Sequence, residues 1–195
     1  WQALSYSEYV GLEAAAASIS DFGLGYIPGL LQTLDYARAV AHGAVPRWSP
    51  DIVEQSVDAR ILRQQLLYSE RAPRFETAMD ESVLHRVVGS PDTMATQLER
   101  LVELSQLPHV SIRVIPYSAG ALPAGNNKFI ILRFAQPTVS DVVFIEGLTE
   151  DQYLDDSHDI EVYNVTFRTL RAMAWSDDET RDKMSAMIAN YRSAG

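Results

Sequence analysis

The pair Pro28-Gly29, set between Tyr26-Ile27 and the run Leu30-Leu31-Gln32-Thr33, constrains this chain more than any other stretch. Proline fixes φ, and glycine takes backbone angles that other residues resist. The chain must turn there, and the helix formers beyond turn it into a helix. That helix is expected over residues 30–42, stopped by Gly43 and Pro46.

The rest of the chain follows from the same signals. Residues 2–19 read as a first helix, through Leu4, Tyr9, Leu12 and an alanine run, and 21–29 as a turn-rich connection. Ser49 is an expected N-cap, with Pro50 at the first position of a long helix reaching about Glu70. Residues 74–79 read as a short strand, and 80–88 as a helix stopped by Gly89. Ser90-Pro91 opens another helix, with Met94, Leu98, Leu101 and Val102 on one face. Residues 110–115 alternate as a half-buried strand. Residues 128–134 and 141–146 are two more strands, joined by a turn at Gln136-Pro137.

The end is helical. Ile160, Tyr163, Phe167, Leu170 and Ala174 form one stripe. Ser176 and Glu179 make a capping box for a last helix, with Met184, Met187, Ile188 and Tyr191 inward. The expected architecture is α+β: a helical N-terminal part, a small mostly antiparallel sheet (a meander of three strands plus one), and C-terminal helices. One domain spans residues 1–195.

Charge bears on function. Sixteen basic residues face twenty-six acidic ones, for a net charge of -10. The basic residues are scattered, and the lysines are Lys128 and Lys183 alone. A nucleic-acid surface needs clustered Lys and Arg, so this segment is not expected to hold DNA itself. No apolar run is long enough to span a membrane, and no signal peptide is visible. The chain has no cysteine, which removes disulfides, thiolate catalysis and cysteine-ligated zinc, and is compatible with the cytoplasm.

The string 26–33, with Tyr36-Ala37-Arg38 beyond it, resembles the signature of a known domain. So do Tyr9 to Ala14, Arg60 to Gln65, Met79 to Leu84 with Val88-Gly89, Gln97 to Leu101, Ile112 to Pro116 and Val142 to Glu146, in that order. Together they are similar to the C-terminal domain, long labelled of unknown function, of actinobacterial Xre-type helix-turn-helix regulators. Many of that family are regarded as antitoxin-like. The resemblance implies an effector or interaction domain, with the DNA-binding helix-turn-helix expected upstream of residue 1. It also implies a small toxin-like partner protein or a small-molecule effector, and action as a homodimer.

Chemistry is sparse in the sequence. On the long helix Val53, Val57, Ile61 and Leu67 define the apolar face; Arg60 and Gln64 fall in its middle and Arg63 at its edge. An unpaired buried charge is very costly, so these residues must be partnered. One reading is a buried salt bridge to Glu13, Glu81 or Glu146. The other is the polar patch of an internal pocket that orients a small anionic or amide ligand. Tyr26, Arg60, Arg63, Gln64 and Glu81 are therefore the candidates for a ligand site or a buried polar core. Should a groove exist, Trp1, Tyr6, Tyr9, Tyr26 and Tyr36 would wall it.

Glu81 and His85 stand four apart and point the same way, as metal ligands or as a simple pair; the pair is favoured. His42, His109 and His158 lie in unrelated contexts, and there is no nucleophile elbow. Glu150-Asp151 and Asp155-Asp156 lack the glycine and terminal glutamate of a calcium loop and read as a solvated helix start. The stretch 119–125 is no phosphate loop; it reads as a long hairpin loop or a cover over a pocket. No cofactor, metal or catalytic residue is expected. The function expected is non-enzymatic regulation through a ligand or partner protein. The alternatives are a pure interaction and dimerisation module, and an enzyme built on Glu81, His85 and Glu146.

Overall fold

The computed structural model describes residues 2–44, 49–125, 127–147 and 149–194, with side chains over 8–43, 49–125, 127–147 and 149–193. Seven α-helices and six strands lie among these residues. The helices are α1 (Gln2–Ala15), α2 (Leu34–Ala44), α3 (Pro50–Arg63), α4 (Ser82–His85), α5 (Pro91–Leu104), α6 (Ser157–Met173) and α7 (Asp177–Ala194). The strands are β1 (Ser18–Gly23), β2 (Arg74–Asp80), β3 (Val110–Ile115), β4 (Phe129–Arg133), β5 (Val142–Ile145) and β6 (Gln152–Leu154).

The fold is α+β, but the sheet is not the expected antiparallel meander. Its order is β3-β2-β1-β4-β5-β6, six strands in one mixed sheet. β1 pairs parallel with β2, and β2 parallel with β3. β1 pairs antiparallel with β4, β4 with β5, and β5 with β6. The first helix therefore ends at Ala15, and the expected turn-rich connection begins with a central strand instead. The β3–β4 segment is no hairpin loop either, because β2 and β1 stand between its strands. It crosses the sheet, with Ala119, Leu122 and Ala124 packed on the apolar cluster of one face.

Several local signals act as their chemistry dictates. Ser49 and Ser90 cap α3 and α5 with side-chain oxygens, accepting from the amides of Ile52 and Thr93, and each is followed by proline. At α7 the Ser176 hydroxyl accepts from Glu179 N, and Glu179 accepts from Ser176 N. The long helix changes pitch at Gln64, where a 3-10 segment Gln64–Tyr68 continues it. Pro46 and Trp1 lie outside the described residues, as does the side chain of Tyr6.

The sheet's two faces carry separate cores. Phe22, Ala78, Ile115, Phe129 and Ile131 pack under Phe167 and Leu170 of α6. On the other face Ile19, Phe75, Met79, Ile112 and Leu132 join Leu30, Leu31 and Tyr36 around the Pro-Gly turn, Met94 and Leu98 of α5, and Met184 of α7. The outer edge of β3 is closed at Val114 by the link before α7 and by that helix's first turn: Trp175 N donates to Val114 O, and Val114 N donates to Thr180 Oγ1. No described helix is long and apolar enough to cross a membrane.

Candidate functional site

Three glutamines hold the Pro-Gly turn. Gln32 Nε2 donates to Ile27 O at 2.6 Å. Gln64 Nε2 donates to Gly29 O and Gln32 O at 3.1 and 2.6 Å. Gln97 Nε2 donates to Leu31 O at 2.8 Å, and its Oε1 accepts from Thr33 N at 2.6 Å. Ile27 N donates to the Tyr36 hydroxyl. All three glutamines are buried, and buried backbone groups that a turn cannot pair within itself need such partners. The signature string thus specifies a backbone shape and the side chains that fix it.

That turn forms one wall of a cavity of about 310 Å³. The sheet face under it supplies Ile19, Asp21, Phe75, Ile130 and Phe144; α1 supplies Tyr9 and Glu13; α3 supplies Arg60 and Arg63. Lys128, Glu146 and Asp151 come from the strand ends. Tyr26 stands on the rim, 41 % exposed. Tyr9 and Phe144 meet with ring centroids 4.5 Å apart.

Most of the cavity's charges answer one another. Arg63 Nε and Nη2 donate to the two oxygens of Glu13 at 2.8 Å, and the guanidinium lies over the Tyr9 ring at 5.1 Å. The Tyr9 hydroxyl donates to Glu13 Oε1 at 2.7 Å. Burial and the Glu13 charge push that phenol well above its usual range. Lys128 pairs with Glu146, and Asp151 accepts from Gly147 N. Arg60 Nη1 donates to Gln32 Oε1 at 2.9 Å.

Asp21 differs. It sits on the central strand β1, between Thr77 of β2 and Ile130 of β4 in register. Its side chain is on the cavity face, 8 % exposed, and accepts no hydrogen bond from the described residues. Burial pushes its carboxyl up to about 7, against the pull of Lys128 and with the push of Glu13 and Glu146. The neighbouring Thr77 Oγ1 is also buried and has no partner among the described residues.

The candidate residues thus divide. Tyr26, Arg60 and Arg63 line the cavity, and Gln64 stands behind its wall as a clasp of the turn. Of the expected carboxylate partners Glu13 takes Arg63, while Arg60 bonds an amide. Glu81 does not line the cavity; it accepts from Tyr117 N at 2.6 Å, and its other oxygen lies 3.4 Å from His85 Nε2. Among the described residues no three His, Asp or Glu side chains gather as a metal set. Asp156 caps α6, accepting from the amides of His158 and Asp159.

Sequence reasoning passed over Asp21, Lys128, Gln32 and Gln97. The first was hidden by taking β1 for a helix end and a turn. An acid between Ser20 and Phe22, two residues beyond Ile19, was the available sign of a buried carboxyl on a strand.

Fold and cavity together define an α+β domain in which helices and a signature turn enclose a charged, aromatic-walled pocket over a mixed sheet. The chain belongs to the family described as Domain of unknown function (DUF5753), whose model matches residues 6–186. No curated protein and no solved structure matches it.

Proposed function

We propose that this domain is a non-enzymatic regulatory module, the effector half of an antitoxin-like, Xre-type helix-turn-helix regulator, and that its cavity takes a small ligand. The cavity beneath the signature turn carries this reading. It is walled by apolar and aromatic side chains and holds a few fixed polar groups, the usual constitution of a small-molecule site. It is also built from distant segments, α1, the turn, α3 and the sheet, so a ligand would bear on several elements at once. Ligand binding would bias attached DNA-binding domains only through different affinity for two conformations. The net charge of -10 supports leaving DNA contact to another domain, and the absence of cysteine is compatible with the cytoplasm.

A pure interaction module has its own support in the exposed Leu62 and Tyr68 on the outer side of α3 and the segment after it. An enzyme on Glu81, His85 and Glu146 has less, since Glu146 lines the cavity and the other two do not. Native mass spectrometry of the purified chain beside its denatured mass tests the ligand reading. Extra mass lost on denaturation is expected. A bare chain that also takes up no small molecule in a thermal-shift library would sink it and move the search to partner proteins.

A further inference from the structure

The cavity's polar groups show which ligand chemistry it lacks. Its guanidinium at Arg63 is already forked onto Glu13, and its ammonium at Lys128 onto Glu146. The Arg60 guanidinium is bonded to Gln32. An anionic ligand would have to compete with these partners. The unmet demand is for a donor: Asp21 is more than nine-tenths buried, faces the cavity and accepts nothing from the described residues. A carboxylate so largely withdrawn from water gains from a donor, because desolvation without compensating bonds is expensive.

Two residues on from Asp21, Gly23 lies on the same face and lines the cavity without a side chain, with Met79 Cγ, Tyr26 O and Pro28 Cδ packed close over it. On the β2 side stands Thr77, whose buried hydroxyl oxygen also lacks a partner among the described residues. Thr77 is fully buried behind the lining, and the walls around Asp21 are Ile19, Phe75, Ile130 and Phe144.

Resting on the ligand-binding reading above, we infer that the cavity recognises a protonated amine with an apolar or aromatic body, its ammonium on the Asp21 carboxylate and its body against the Phe75, Phe144 and Ile130 wall. The ion pair would be desolvated, where charge-assisted hydrogen bonds are strongest. The aromatic walls would take the hydrocarbon part.

Binding is coupled to protons. The groups facing Asp21 are Glu13 and Tyr9 from α1, Arg60 and Arg63 from α3, and Lys128 at the head of β4. Glu146 and Asp151 stand beyond β5. Burial holds the Asp21 carboxyl up to about 7. An ammonium arriving below pH 7 favours the carboxylate, so amine binding releases a proton to solvent, the more completely the lower the pH.

Tryptamine is the probe, with tryptophol and indole-3-propionate as the neutral and acidic counterparts of similar size. Calorimetric titration at pH 6 in two buffers of different ionisation enthalpy should give heat for tryptamine, with proton release, and little for the other two. Asp21→Asn should weaken tryptamine at least about tenfold, the loss expected for a charge-assisted bond, while its melting temperature holds or rises. Thr77→Val should weaken it less. Preference for the acid or the alcohol, or equal tryptamine binding by Asp21→Asn, overturns the amine assignment and leaves a ligand cavity standing. No binding by any of the three overturns the amine assignment too. If native mass spectrometry then shows a bare chain, the effector reading falls with it.

Discussion

Arg63 holds Glu13 through two hydrogen bonds of 2.8 Å, Nε to Oε2 and Nη2 to Oε1, and so ties α3 to α1. The Glu13 side chain is 2 % exposed and that of Arg63 13 %. A buried ion pair to Glu13 is one of two readings of these arginines; it is Arg63, nearly one helical turn beyond Arg60, that makes it. Arg60, three residues earlier, serves the Pro-Gly turn through Gln32 instead.

Cutting that pair on one side should be far worse than removing it whole. Arg63→Ala or Glu13→Ala removes the opposite charge from a largely buried ion, and each is expected to lose about 3–5 kcal/mol in urea unfolding. The double variant Arg63→Leu/Glu13→Leu should be more stable than either single one. Strict additivity would contradict a coupled pair.

The glutamine clasp gives a second expectation. Gln97 is fully buried, and Gln97→Leu strands the Leu31 carbonyl and the Thr33 amide. A loss of about 1–3 kcal/mol for each orphaned group is expected, read by chemical denaturation. Faster hydrogen exchange at Thr33 than in the parent should accompany it. Unchanged exchange would mean that the turn holds its shape without this residue.

Asp21 should make stability depend on pH in an unusual direction. Its carboxyl ionises near 7 in the fold, raised chiefly by burial, against an ordinary value of 3.8. Between those values the folded chain binds more protons than the unfolded one. This contribution is fully present below the lower value and is lost as pH rises through the upper one, on the order of 4 kcal/mol in all. Asp21→Asn removes the titration, so its melting temperature should exceed the parent's at pH 8, by a margin that narrows at pH 5. A constant margin, or a less stable variant at pH 8, is the contrary result.

Gly89 ends the segment before α5 with φ at 76°, the left-handed region. A Cβ there would lie 3.0 Å from Thr93 Oγ1, a side chain engaged with the Ser90 cap. Gly89→Ala should cost about 1–2 kcal/mol by thermal unfolding. A neutral result would require the cap to shift without loss.

What was legible in the sequence was local. Ser49, Ser90 and Ser176 cap helices because each oxygen reaches an amide two or three residues on, a geometry written in consecutive residues. Gly89 reads in the sequence as the stop of a helix over 80–88, but α4 ends at His85, and the left-handed glycine belongs to the link before α5. The order of strands is a different kind of fact. Residues 110–115 read correctly as a strand, but nothing in Val110 to Ile115 says that β2 is its neighbour. Parallel pairing depends on crossovers that carry the chain back across a face, and those are global choices. β1 was masked by its surroundings: an alanine-rich helix runs up to it, and its residues Ser18, Ser20, Asp21 and Gly23 are poor strand formers. The cavity suffered accordingly. Arg60, Arg63 and Tyr26 were visible as anomalies, whereas Asp21 became meaningful only once its strand lay in the middle of the sheet.

The closure of β3 by Trp175 and Thr180 has a consequence for biosynthesis. All six strands leave the ribosome before α7 does. Until the link after α6 and the last helix are made, Val114 has an open carbonyl and amide on a strand edge, and α5 lacks the neighbour that covers its apolar stripe. The nascent domain therefore passes through an interval with a sticky border, the kind that recruits other chains. Translation pausing or premature termination within α7 should yield insoluble protein, whereas release of the full helix seals the border within the same molecule.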